Sequence, residues 1–177
     1  MRAPRYYALR ALRFMPPNLR RSLVNVVAPS YMLGAMCWLE NDGKVLLVKN
    51  TYRDGWVFPG GLVDKGEAPH EAAIRELREE TALKVELLSA PVITIDAELR
   101  RMEFTYKAKL ADGVVATDCV VDQVEIIDAK WFPPSELPAI DHEYDGLATA
   151  MANAGDEPQL LYATWANSER ILTPAVS

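Results

Sequence analysis

Apolar residues recur at two different spacings along this chain, and the spacings divide it into strands and helices. Tyr31 to Leu39 is apolar and strand-like, and Lys44 to Lys49 returns as a second strand. Between them Asn41-Asp42-Gly43 is a hairpin turn signal, because these residue types tolerate the left-handed backbone that tight turns need. From Pro69 the pattern changes. Ala72, Ala73 and Leu77 fall at helical intervals among Ala, Leu, Glu and Arg, all strong helix formers, which predicts a helix over residues 69 to 81. Lys84 to Asp96 and Arg101 to Leu110 read as strands again, with a turn at Ala111-Asp112-Gly113, and Ile126 to Phe132 is a later strand stopped by Pro133-Pro134. Asp141 to Ala154 has helical spacing through Leu147, Ala150 and Met151. In Glu157 to Ser177, Leu160, Leu161, Tyr162 and Trp165 suit either a terminal helix or an arm on a partner subunit, and the stretch is left unassigned. Runs of strands with two helices packed against them predict a mixed α/β sandwich of the α+β kind.

With 177 residues and 50% of them hydrophobic, the chain holds one substantial core and little material for a second. The expected organisation is a basic extension over 1–28, a main domain over 29–155, and a tail over 156–177 packed on the domain or on a partner subunit. Charge is uneven. Six arginines, Arg2, Arg5, Arg10, Arg13, Arg20 and Arg21, precede the first acid, Glu40, so the net −6 divides into +6 before Glu40 and −12 after. Tyr6, Tyr7, Leu9, Leu12, Phe14 and Leu23 make this basic stretch weakly amphipathic. It reads as a helix packed on the domain or a dimer mate, ahead of a membrane-surface segment or an export signal, since Asn25, Pro29 and Ser30 interrupt the apolar run after Arg20-Arg21. A homodimer is therefore one expected arrangement. The acidic balance gives no footprint for extended nucleic-acid binding. No apolar run reaches the length of a membrane span. Cys37 and Cys119 lack metal-ligand spacing and read as small core residues in a reducing cytoplasm.

On the predicted helix Glu76, Glu79 and Glu80 stand at i, i+3 and i+4, so three carboxylates crowd one side of its last turns. Like charges at that spacing repel, and anionic groups near a helix C-terminus oppose its dipole. Arg75 can pair with Glu79 but cannot neutralise all three acids. A divalent ion can, because hard cations take carboxylate oxygens together with water and substrate phosphates. For an arbitrary run of Glu and Arg a solvated helix face is the better reading. The flanking Trp56-Val57-Phe58-Pro59-Gly60-Gly61 reverses it, since Pro and paired Gly make a tight loop whose backbone can approach a ligand or metal closely.

This window resembles the Nudix box, G-x5-E-x7-R-E-U-x-E-E-x-G-U with U aliphatic: Gly61, Glu67, Arg75, Glu76, Leu77, Glu79, Glu80 and Leu83 stand at its positions. Ala82 departs from it where the family has Gly, so that the helix either ends under modest strain or ends differently. The resemblance implies a mixed-sheet α/β/α sandwich and divalent-metal-dependent hydrolysis of a pyrophosphate bond, with Mg²⁺ or Mn²⁺ as cofactor and a nucleotide as substrate. Glu79 and Glu80 are the expected metal ligands, with Glu76 sharing a metal or accepting a proton. Gly60 is expected to offer its backbone carbonyl, as the residue before the box often does. Arg75 suits orienting a carboxylate better than touching substrate. Gly61 belongs to the motif's loop, and Glu67 is either a structural acid or a direct metal contact. Relatives often draw a further acid from the loop before a late strand ending in an aromatic residue. Glu125 is that candidate, ahead of Asp122, with His142 and Glu143 weaker.

Arg53, Trp56 and Phe58, with Tyr52, precede the metal loop and are candidates to stack a base and contact a phosphate, although core packing is the commoner role for such aromatics. Family subgroups are sometimes told apart about sixteen residues past the box. There Asp96 to Arg100 contain neither the Pro of ADP-ribose hydrolases nor the Tyr of dinucleoside polyphosphate hydrolases. The long signature of NADH pyrophosphatases is missing, and Leu47 to Asn50 do not resemble the coenzyme A subgroup. The alternative is a Nudix domain that binds a nucleotide or nucleotide sugar as a sensor, and the intact Glu76, Glu79 and Glu80 weigh against it.

Overall fold

The structure is a computed structural model that describes residues 13–19, 30–141, 144, 146–166 and 169–175, with only the backbone of Glu169. The chain divides into two units, Met1–Tyr31 and Met32–Ser177. In the first, residues 17–19 are helical, and Phe14 and Leu19 are exposed. Of the arginines noted above, Arg2, Arg5, Arg10, Arg20 and Arg21 lie outside the described residues, as do His142 and Glu143.

Among its described residues the second unit is built on one mixed sheet of nine strands. Its strands are β1 (Met32–Asn41), β2 (Lys44–Asn50), β3 (Gly60–Leu62), β4 (Val85–Leu87), β5 (Val92–Asp96), β6 (Arg101–Leu110), β7 (Ile126–Phe132), β8 (Gln159–Ala166) and β9 (Glu169–Pro174). The main order is β7-β2-β1-β6-β5-β8-β9, with β3 paired to β1 and β4 to β6. β1 runs parallel to β6, and β5 parallel to β8. Helix α1 (Pro69–Thr81) covers one face, where Ala72, Ala73 and Leu77 pack on Ala35, Cys37, Leu39 and Leu46. Helix α2 (Leu147–Asn153) covers the other, where Leu147 and Met151 join Met36, Trp38 and Leu47. Neighbouring residues of β1 thus enter opposite cores. That is why this strand reads as continuously apolar and not as an alternation.

The hairpin of β1 and β2 opens into a fork. Its ladder holds only Glu40↔Val45 and Asn41↔Lys44, next to the turn. Further along, residues 57–62 enter between the strands: Val57 exchanges two hydrogen bonds of 2.9 Å with Val48, the Cys37 N–H donates to the Pro59 carbonyl at 2.9 Å, and Gly60–Leu62 pair with Gly34–Met36. Backbone groups left bare by the splaying are satisfied by this wedge. At the open end of β2 a bulge lies between Lys49 and Asn50, after which the Thr51 N–H donates to the Glu125 carbonyl at 2.9 Å. The segments carrying Tyr52 and Glu125 therefore leave the sheet together.

Three expectations are revised. The run Lys84–Asp96 is two strands, β4 and β5, laid end to end along the single strand β6. The second helix starts at Leu147 and not at Asp141, because the chain first turns at Tyr144, whose N–H donates to the Asp141 carbonyl at 2.8 Å, and Gly146 takes a left-handed conformation. The unassigned stretch after Glu157 forms β8 and β9, a hairpin that extends the sheet beyond β5.

Candidate active site

A cavity of about 390 Å³ opens at the fork, lined by the wedge (Val57, Phe58, Gly60, Gly61, Leu62), by Glu76 of α1, by Asn50, Tyr52, Arg53 and Glu125, and by Tyr144 and the starts of β1 and β6. The wedge requires glycine at position 60 and brings Gly61 close against a side chain. Gly60 has φ 150° and a Cβ there would lie 2.3 Å from the Ala35 carbonyl oxygen, while a Cβ at Gly61 would lie 2.6 to 2.7 Å from the Glu76 carboxylate.

α1 begins at Pro69, where proline needs no N–H partner, and Glu71 reaches back to accept from the Ala68 N–H at 3.0 Å. It ends at Ala82, which adopts the left-handed conformation of the missing Gly (φ 60°) and donates its N–H to the Arg78 carbonyl at 2.9 Å. The helix stops where the motif requires, with the strain carried by a residue that has a Cβ.

Along this helix the acids have separate surroundings. Glu80 is buried, and its Oε2 accepts from the Gly60 N–H at 2.9 Å. Burial pushes its pKa up to about 8, with the negative charges of Glu76, Glu125 and Asp122 acting in the same direction against the Gly60 hydrogen bond. Glu76 is also raised, first by desolvation, against the pull of Arg75. Glu79 is 55% exposed and meets Arg75 at 3.2 Å. Arg75 organises the group: its fork grips Glu67 through two bonds of 2.9 Å and also donates to Glu76 at 2.9 Å and to the Leu62 carbonyl at 3.1 Å. Glu67 is held at about 2, chiefly by Arg75 and then by the Asp64 N–H.

These donors suit a divalent cation. Among the described residues no ready-made group of three acids stands close enough to hold one. The field of Glu76, Glu125 and Asp122 nevertheless converges on buried Glu80, and all the donors are hard oxygens, as small divalent cations prefer. A cation there would offset the negative charge of these acids and favour the ionised form of Glu80 against the burial that raises its pKa.

The loop residues divide. Glu125 is exposed on the cavity and accepts from the Tyr52 hydroxyl at 3.2 Å. Asp122 instead closes a turn, taking the N–H groups of Val124, Glu125 and Ile126 at 2.9 to 3.1 Å. Arg53 pairs with Asp141 at 3.2 Å and lies 5.8 and 5.7 Å from the Tyr52 and Tyr144 rings. Trp56 and Phe58, candidates to stack a base, are both packed against other aromatic rings. Phe58 is buried against Trp38, and Trp56 packs edge-on against Phe132 beneath Lys130, outside the cavity lining.

A family model described as the NUDIX domain matches residues 30–152. The chain belongs to the NUDIX family. Among NUDIX relatives, a protein of Bacillus subtilis named a putative 8-oxo-dGTP diphosphatase is 34% identical over 110 residues, 61% of this chain and 70% of that one. Proteins of Xanthomonas named RNA pyrophosphohydrolase are 49% identical over 55 residues, but the match spans only 27% of their length. A NUDIX hydrolase from Nitrosomonas europaea has the same fold, with TM-score 0.63 and 23% identity, covering 75% of this chain and 80% of that one. An ADP-ribose pyrophosphatase from Streptococcus suis aligns with TM-score 0.60 and 19% identity over 74% of this chain and 99% of its own. NUDIX hydrolases generally use divalent metals.

Sequence reasoning missed Arg101, Glu103 and Tyr144, which line the same cavity. An alternating strand and a run near a helix start carried no motif to single them out.

Proposed function

We propose that the chain, a Nudix pyrophosphohydrolase by family and by relatives, hydrolyses the pyrophosphate bond of a nucleoside diphosphate joined to another moiety, or of a (d)NTP, by attack of water on phosphorus. The observation that carries this reading is the buried, charge-crowded Glu80 bonded to the Gly60 N–H at the cavity edge, with Glu76 beside it. Glu76, Glu79, Glu80 and the Gly60 carbonyl would hold Mg²⁺ or Mn²⁺. Such an ion, when bound, neutralises phosphate charge and lowers the pKa of water. Arg75 keeps the Glu76 carboxylate turned to the cavity and holds Glu67 and Glu79 in register.

Glu125 accepts the proton of the attacking water in this reading, since it is the exposed cavity acid with no cationic partner among the described hydrogen bonds and ion pairs. Arg53, braced by Asp141, contacts a substrate oxyanion beside Tyr52. A reducing cytoplasmic setting belongs to the same reading, supported by the two free cysteines, Cys37 and Cys119.

The test is a panel of (d)NTPs including 8-oxo-dGTP, ADP-ribose, nucleotide sugars and 5′-triphosphate RNA, with and without Mg²⁺ or Mn²⁺, with products identified. Metal-dependent turnover of at least one compound, lost in Glu80→Gln, is expected. Binding without turnover across the panel would replace the enzyme by a nucleotide sensor.

A further inference from the structure

The cavity has a second charged wall, supported from behind by the C-terminal hairpin. Arg101 and Glu103 of β6 line it, with Arg101 Nε 3.4 Å from Glu103 Oε1. Glu103 Oε2 meets Arg170 Nη2 of β9 at 3.2 Å and accepts from the Thr94 hydroxyl at 3.3 Å. Arg170 Nε lies 3.8 Å from Asp96 Oδ2, which also accepts from the Trp165 indole N–H at 2.8 Å. The Arg170, Asp96 and Glu103 side chains are 1%, 0% and 3% exposed, while Arg101 at 15% is the member nearer solvent. Glu103 is close to the metal loop. A Cβ at Gly34, its strand neighbour, would lie 3.5 Å from Glu103 Cγ and 3.7 Å from the Gly61 carbonyl oxygen.

Such a buried network is poorly explained by stability alone. Desolvating several charges costs about as much as their pairing returns, and apolar replacements of the same volume are often neutral or better. What the network achieves is orientation. A guanidinium on a cavity wall keeps one direction only if the carboxylate beside it is itself held, and Arg170 holds that carboxylate. Arg170 and Trp165 both lie beyond residue 152, where the family match ends, so this support comes from a part of the chain outside that match.

We propose that Arg170 is a positioning residue for substrate: through Glu103 it fixes Arg101 on the cavity wall, where Arg101 binds an oxygen acceptor of the nucleotide outside the scissile bond. That acceptor is either a base carbonyl or a further phosphate oxyanion. The inference rests on the nucleotide reading of the cavity, not on turnover.

The experiment compares wild type with Arg101→Ala, Arg170→Met, Arg170→Lys and the double variant Arg101→Ala/Arg170→Met. Kd for dGTP, dATP and ADP-ribose is measured by calorimetry without divalent metal, KM and kcat on any panel substrate that turns over, and folding by circular dichroism. Arg101→Ala and Arg170→Met are each expected to raise Kd and KM about tenfold, with kcat within about threefold. The double variant is expected to be no weaker than Arg101→Ala, and Arg170→Lys to recover most of the loss. A loss confined to dGTP assigns the acceptor to the base carbonyl, and an equal loss for dGTP and dATP assigns it to an oxyanion. Unchanged Kd in a folded Arg170→Met, or additive effects in the double variant, overturns the proposal. If Arg170→Met does not fold, Glu103→Gln takes its place: a tenfold rise in Kd like that of Arg101→Ala supports the proposal, and an unchanged Kd in either folded variant overturns it. A wild type that binds these nucleotides but hydrolyses nothing defeats the pyrophosphohydrolase reading while leaving this wall testable by Kd; one that binds none defeats both.

Discussion

The Gly60 N–H donates to Oε2 of Glu80 across 2.9 Å, joining the wedge in the forked sheet to the last turn of the helix that lies over it. This one bond holds a carboxylate in a buried place where three other acids oppose its charge. The ionisation of Glu80 is therefore coupled to folding and to cation binding at once.

The sign of that coupling can be worked out. A folded-state pKa of about 8 against an ordinary 4.5 means that protonation favours the folded chain. The contribution is complete below about pH 4.5 and is lost as pH rises through 8. Thermal melts without metal should show declining stability across that window, and Glu80→Gln should flatten the decline. Added Mg²⁺ should raise Tm more at pH 9 than at pH 6, because the ligand must be ionised. Equal metal shifts at the two pH values would refute this account.

Alanine at the two wedge glycines should separate folding from chemistry. At Gly60 the new Cβ meets backbone at 2.3 Å, so Gly60→Ala should destabilise by about 3 kcal/mol or more. At Gly61 it meets a side-chain carboxylate that can swing away, so Gly61→Ala should fold with a nearly normal Tm and lose about a hundredfold in kcat/KM. Melting curves beside kinetics of the two variants distinguish the cases.

Arg75 touches three carboxylates and one carbonyl. Arg75→Ala should lower activity about 10- to 100-fold, as removal of groups that orient metal ligands does elsewhere. Arg75→Lys should recover little, since an ammonium cannot reproduce the bidentate grip on Glu67. Full activity in the Lys variant would show that charge alone suffices.

Ala82→Gly should stabilise the chain by about 0.5–1 kcal/mol, because the left-handed backbone at φ 60° costs more for a residue with a Cβ. The expected rise in Tm is about 1–4 °C for a chain of this size. Kinetics should not change.

How much of this was legible beforehand depended on whether the signal was local. α1 and β7 have the bounds their sequences predict, because Pro69, the Ala-Leu spacing and Pro133-Pro134 act within a few residues. The C-terminal hairpin was not legible. Leu161 and Ala163 face inward while Leu160 and Tyr162 face outward, but this short alternation became a strand only beside β5, far back in the chain. Likewise the motif placed Glu76 and Glu80 on one helix, yet nothing in it told that Phe58 would pack under Trp38 or that Arg101 would share a cavity with Glu76. Which side of a loop faces solvent is decided by the fork in β1 and β2, a tertiary feature.

The hairpin also governs where the sheet stops growing. Without β8, the outer side of β5 would present a bare row of N–H and C=O groups next to Ile93 and Ile95, a template on which a second chain could pair. A fragment cut at residue 152 would keep every box residue and still carry this adhesive margin. Aggregation of such a fragment would then report on an uncovered β5 and not on a damaged catalytic centre.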